Sequence, residues 1–194
     1  IAEHLRERGY RTGLVGKTHF NNWAWAPLYK DGMPDHGFDV MIEKGEYREW
    51  LKENPQPEIP AEIQTYKRDE ISRDDVPAWM NCKNLPHPVY DEYSSGTFFA
   101  RQAADFIKKS GDQPFFLWTA FFQPHHPYYY PIEFTEKYNP EEMLLPEGSP
   151  EDDRWIPAKF RNLTDEEKRG IIAAYYTSTE YLDKNIGIVI DAVK

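Results

Sequence analysis

One apolar run, FFLWTAFF from Phe115 to Phe122, constrains this chain more than any other stretch. A strand with one wet face alternates apolar and polar residues. A continuous run suits a strand covered on both faces, as in a parallel sheet flanked by helices. The preceding residues agree. Phe99, Ala103 and Phe106 recur at helical spacing, with Ile107 beside them. Ser94 or Ser95 can cap that helix, and Lys108 and Lys109 favour its carboxyl end. Gly111 closes it and Pro114 blocks its continuation. Helix, stop and buried strand make half of a βαβ unit.

The chain opens on the same pattern. Ile1 to Arg8 reads as the end of a helix, Gly9 as its left-handed stop, and Tyr10 to Gly16 as a strand. MPDHGFDVMI reads as a turn into a short strand, Phe38 to Ile42. Toward the end, Thr164 with Glu167 has the pattern of a capping box. Ile171, Tyr175, Leu182, Ile186, Val189 and Val193 then follow at helical steps, so one long amphipathic helix is expected, with a break near Gly187. Residues 54–90 differ. NPQPEIP and NLPHPVY are proline-rich with scattered charges, and this stretch reads as an insertion or long loop. The fold class is therefore α/β, mostly parallel strands flanked by helices. No internal repeat is visible.

Composition removes several function classes. The chain has 194 residues, 40% of them hydrophobic, enough for a real core. Its net charge of -10 argues against nucleic acid or an anionic membrane surface as partner, but permits a small anion in a local cationic pocket. Cys82 is the single cysteine, which excludes an intrachain disulfide and a cysteine-built metal site. No apolar run is long enough to span a bilayer, and no signal peptide is read. IAEHLRERGY opens without Met inside a helical pattern, and IGIVIDAVK closes inside another. Both ends read as cut, so residues 1–194 are expected to be an internal piece of one longer domain. Compartment and oligomeric state are not legible.

The chemistry-bearing residues hang on strand ends. The first strand runs into Lys17 and His19, and the apolar run leads into QPHHP, with His125 and His126. In open α/β sheets the ligand crevice lies beyond the carboxyl ends of the strands. Both clusters lie there if the two strands are parallel. The set has no carboxylate pair and no recognisable nucleophile. Lysine supplies fixed charge to oxyanion oxygens, and histidine gives or takes a proton near neutral pH. Phosphate and sulfate esters are the matching substrates. In extended backbone, adjacent His125 and His126 would point to opposite sides, so one at most would face the crevice. Asp74 with Asp75 and Asp152 with Asp153 follow no apolar strand and read as charged surface loops. Tyr128 to Tyr130 reads as a packed or rim aromatic cluster.

Four segments carry a family resemblance. LRERGYRTGLVGKTHF, HGFD (His36 to Asp39), QPFFLWTAFFQPHHPYYYP and YYTSTEYLDKNIGIVIDAV resemble, in that order, segments of the formylglycine-dependent sulfatases. The flavour is closest to the choline-sulfatase and iduronate-sulfatase side. The resemblance implies part of an alkaline-phosphatase-like domain, truncated at both ends, and hydrolysis of a sulfate ester on a small molecule or glycan. It implies that Lys17 bridges the sulfate and a formylglycine nucleophile. His19 would hold that nucleophile's hydroxyl and help eliminate sulfate, and His125 would bind sulfate and assist the leaving oxygen. His126 occupies a variable position. Calcium, or another divalent cation, would be the cofactor of the intact parent. The family's nucleophile motif, Cys or Ser before x-Pro-x-Arg, is absent, since Cys82 precedes Lys83 and Asn84. The paired aspartates and the later metal pair are absent too. None of these 194 residues is therefore expected to hold a metal, and the piece alone is expected to be inactive. A phosphonate monoester or phosphodiester hydrolase of the same superfamily is an alternative. A non-catalytic relative that binds sulfated glycans is another.

Overall fold

In the computed structural model, which describes residues 1–18 and 34–194, the strand after Gly9 forms as β1, Arg11–Gly16. It pairs in parallel with β2, Val40–Ile42, on one side and with β3, Phe115–Ala120, on the other. The order among the described residues is β2-β1-β3. The register sets Gly13 against Val40 and Leu117, and Gly16 against Ala120, so β1 and β3 end together. The fold is α/β with parallel strands between helices, as the sequence indicates.

Side chains alternate along a strand, and β1 is packed on both faces. Leu14 joins Ala2 of α1 (Ala2–Arg6), Phe38 and Phe116. Val15 joins Phe98, Phe99 and Ala103 of α4 (Ser95–Ser110), together with Leu117 and Val189. Leu14, Val15, Phe38, Phe98 and Phe99, all buried, each contribute roughly 1.5–3 kcal/mol, more than an exposed ion pair at about 0–1 kcal/mol. Gly13 lets α4 close on the sheet, because a Cβ there would lie 2.5 Å from the Phe106 ring. The expected caps form. The Ser94 side chain accepts from the Thr97 N–H, and Gly9 takes a φ of 84°.

The HGFD segment ties this layer together. Asp39 Oδ2 accepts from the Thr12 N–H at 2.8 Å, and the Asp39 N–H donates back to the Thr12 carbonyl at 3.0 Å. The Thr12 hydroxyl, buried, lies 2.8 Å from the Gly37 carbonyl.

Several elements differ from expectation. Helix α2, Lys44–Glu53, was not foreseen. Its N-cap is Glu43, an uncommon capping residue, which completes a capping box with Glu46. Its Tyr47 and Trp50 pack against the core around Val15. In β3, Trp118 is 47% exposed, so the run is not covered on both faces along its whole length among the described residues. The long final helix, α5, runs from Asp165 to Asp191 with no break at Gly187. Its capping box forms as expected, Thr164 N–H to Glu167 at 2.7 Å and Glu167 N–H to the Thr164 hydroxyl at 3.2 Å.

The chain divides into two compact units, one of Ile1–Gln56, Glu92–Phe122 and Lys184–Lys194, the other of Pro57–Asp91 and Gln123–Asp183. In the second, the proline-rich stretch carries the short helix α3, Val76–Trp79, capped by Asp75. That stretch is stitched to the chain beyond β3 by two backbone bonds, His87 N–H to the Tyr130 carbonyl and Ile132 N–H to the Val89 carbonyl. Tyr130 is buried, and its hydroxyl reaches the Asn84 carbonyl at 2.6 Å. Gly170 of α5 meets Cys82 so closely that a Cβ would lie 1.7 Å from the Cys82 carbonyl oxygen. Among the described residues no helix is long and apolar enough to cross a membrane.

Candidate active site

The first candidate sits where β1 ends. Gly16 has a φ of 114°, and a Cβ there would lie 2.0 Å from the Ala120 carbonyl oxygen. Only glycine permits that approach. It brings the Lys17 N–H to the same carbonyl at 2.7 Å, which extends the β1–β3 pairing one residue past the strand. The Lys17 ammonium then lies over the Phe122 ring, 4.3 Å from its centroid. A ring face holds a cation by its quadrupole, worth about 0.5–2 kcal/mol. Next along the chain, the Thr18 hydroxyl donates to Glu43 at 2.7 Å. His19, the second candidate, lies outside the described residues.

The third candidate follows β3 and belongs to the second unit, whereas Lys17 belongs to the first. The strands that lead into them are parallel, the condition the sequence reading set. His125 opens a turn closed by the Tyr128 N–H on the His125 carbonyl at 3.0 Å. Its Nδ1 lies 2.6 Å from the His126 carbonyl. A carbonyl only accepts, so Nδ1 carries the hydrogen, and in the neutral ring the lone pair is on Nε2. His126 corrects an expectation. The two rings stack, 4.3 Å between centroids, and do not point apart. The segment is a turn, not extended backbone, because prolines flank it at 124 and 127. The His126 ring also meets Trp79 edge-on at 4.6 Å.

Several other residues raised by the sequence have structural roles. Asp75 caps α3 through the Ala78 N–H at 3.1 Å, and Asp152 accepts from the Ser149 N–H at 2.7 Å. Tyr128 packs against Tyr175, and Tyr129 against His87. The site partner missed by the sequence reading is Phe122, the last residue of the apolar run, whose spacing gave no hint of a cation above it.

The implied cofactor and nucleophile do not fit these residues. A hard divalent cation takes oxygen ligands, whereas the candidates offer an ammonium and imidazoles. Among the described residues no group of three His, Cys, Asp or Glu side chains could hold a metal ion. Cys82 is buried, and burial pushes its thiol up to about 12, the opposite of an activated cysteine.

Two solved structures share this framework. Phosphonate monoester hydrolase from Silicibacter pomeroyi superposes with a TM-score of 0.64 at 21% identity, covering 98% of this chain and 42% of that one. The phosphonate monoester hydrolase of Agrobacterium radiobacter gives 0.67 at 18% identity, covering 100% and 43%. This chain has part of their α/β fold. The chain belongs to the sulfatase family, whose model, named Sulfatase, matches residues 1–194. It is 26% identical to an uncharacterized sulfatase of Escherichia coli over 210 residues, 100% of this chain and 37% of that one. It is also 26% identical to the choline-sulfatase of Rhizobium meliloti over 212 residues, 99% and 38%. The chain thus spans well under half the length of these relatives.

Proposed function

We propose that this chain supplies the sulfate-gripping part of a sulfatase active site. One observation carries the reading: Lys17, held at the end of β1 by Gly16 and Phe122, in a chain that matches the sulfatase family throughout. Lys17 places its charge on the sulfate oxygens. Negative charge grows there and on the bridging oxygen as the S–O bond breaks, and a preorganised cation lowers that barrier. His125 keeps the role the resemblance implies: it binds the sulfate and, as the imidazolium, gives its Nε2 proton to the leaving alcohol oxygen, which leaves the neutral ring with its hydrogen on Nδ1. Its Nδ1–H···O bond persists through that transfer, so no tautomer change is needed. His19 keeps the role the resemblance implies, on the nucleophile's hydroxyl. A formylglycine nucleophile and a divalent cation such as calcium belong, in this reading, to residues other than these 194. The isolated chain is then inactive.

In the full-length protein, Lys17→Ala should lower kcat/KM on a sulfate monoester by about 10²–10³-fold. A loss below about threefold would refute the role. The purified 194-residue chain should show no turnover above its own Lys17→Ala control. A second reading, phosphonate monoester hydrolysis, is favoured by the names of the two structural neighbours. Rates on a sulfate and a phosphonate monoester, measured side by side, decide between them.

A further inference from the structure

The proline-rich stretch contacts the His125 turn through Trp79 and Asn81. Asn81 is 2% exposed and has a φ of 57°, a left-handed conformation that asparagine tolerates better than most residues. Both atoms of its side-chain amide are hydrogen-bonded. Oδ1 accepts from the Leu85 N–H at 2.9 Å, and Nδ2 donates to the Leu85 carbonyl at 2.9 Å. Those two bonds close a local loop and would suffice for that purpose. The third does something else. Nδ2 also donates to the Pro127 carbonyl at 3.3 Å, buried, across 46 residues of sequence. Pro127 lies inside the turn that begins at His125. The second contact is Trp79, edge-on to the His126 ring that stacks on His125.

We propose that Asn81 is a positioning residue for His125: its amide pins the Pro127 carbonyl and so fixes the direction of His125 Nε2. This rests on the reading of His125 as proton donor to the leaving oxygen. The His125 ring is tied by Nδ1 to the His126 carbonyl, so its orientation follows the backbone of the turn. The Pro127 carbonyl belongs to the next residue of that backbone. Freed of its donor, the turn can rotate, and the ring rotates with it. A proton donor misplaced by about 1 Å can lose about 10²-fold in rate.

The test uses the full-length protein and two sulfate monoesters. An alkyl sulfate has a poor leaving group that needs the proton, whereas 4-nitrophenyl sulfate releases a stabilised phenolate that does not. Asn81→Asp keeps the shape and the acceptor for Leu85 but removes the donor. Asn81→Gly keeps the left-handed backbone and removes the whole side chain. His125→Ala sets the ceiling, a loss of about 10²-fold or more on the alkyl ester and much less on the aryl one. Both Asn81 variants should lose about tenfold in kcat on the alkyl ester and under about threefold on the aryl ester, with KM nearly unchanged. Equal losses on the two esters, or none, would overturn the proposal, since a loss of folded protein lowers both rates alike. If His125→Ala itself shows no leaving-group dependence, the reading of His125 fails and the Asn81 proposal fails with it. If only the Asn81 variants lack the dependence, the positioning role alone is wrong.

Discussion

Replacing Gly16 with alanine tests the strand end that aims Lys17. The added Cβ would meet backbone, the Ala120 carbonyl oxygen at 2.0 Å and its carbon at 2.8 Å. Backbone in a paired strand cannot step aside as a flexible side chain would. Two costs add. A non-glycine residue held at a φ of 114° carries about 1–3 kcal/mol of strain, and overpacking a closed contact costs about 1–3 kcal/mol. The sum, about 2–6 kcal/mol, is a large share of a typical folding free energy of about 5–15 kcal/mol. Relief requires β1 and β3 to part at their ends, which breaks the Lys17 N–H bond to Ala120 and moves the ammonium off Phe122. Urea unfolding of the full-length protein, followed by circular dichroism, measures the first effect, and kcat/KM on a sulfate monoester the second. Gly187→Ala is the companion variant. A Cβ there meets nothing within 4 Å, and the site is inside α5, so alanine should stabilise by about 0.5–1 kcal/mol. If Gly16→Ala unfolds within about 0.5 kcal/mol of the parent, the close approach does not govern this strand end.

Two further outcomes concern stability. His87 is wedged between the Tyr66 and Tyr129 rings, and burial pushes its imidazole down to about 3. The folded state keeps it neutral while the unfolded chain takes up a proton below pH about 6.5, so its contribution is complete above that pH and is lost as pH falls toward 3. Between pH 6.5 and 5 the loss is about 2 kcal/mol, visible as a urea-midpoint shift that His87→Phe should remove; an unchanged pH slope in that variant would contradict the assignment. Asp39→Ala should cost about 1–3 kcal/mol by leaving the Thr12 N–H without its acceptor, and a urea midpoint equal to the parent's would show that the HGFD segment is not a fastening.

Local signals were readable and long-range ones were not. β1 was visible because an apolar run bounded by glycines is a local pattern, and the caps at Ser94 and Thr164 were visible because each bonds to residues three positions on. Helix α2 was missed because its cap is a glutamate and its apolar face has meaning only against Phe98 and Phe99. The stacking of His125 on His126 was misjudged because periodicity assumes an extended segment, and the chain turns there. Lys17 could be named as a candidate from the strand before it, but its ring partner could not, since Phe122 lies far along the sequence and is adjacent only through the pairing of β1 with β3. Asn81 gave no signal at all, because its distinguishing bond crosses from one loop to another. His19 lies outside the described residues and rests on the resemblance alone.

The choice of an aromatic face as Lys17's partner has an electrostatic consequence. A carboxylate in that position would hold the ammonium equally still, but it would also cancel it, and an incoming anion would meet a neutral pair. The ring restrains the group and leaves its full charge exposed to a third party. On a chain of net charge -10, the attraction of the Lys17 ammonium for an anion is a short-range one, felt only inside a screening length of about 10 Å at moderate salt. In the proposed reading, an anion is then selected by how closely it fits against Lys17, not by the pull of the surface as a whole.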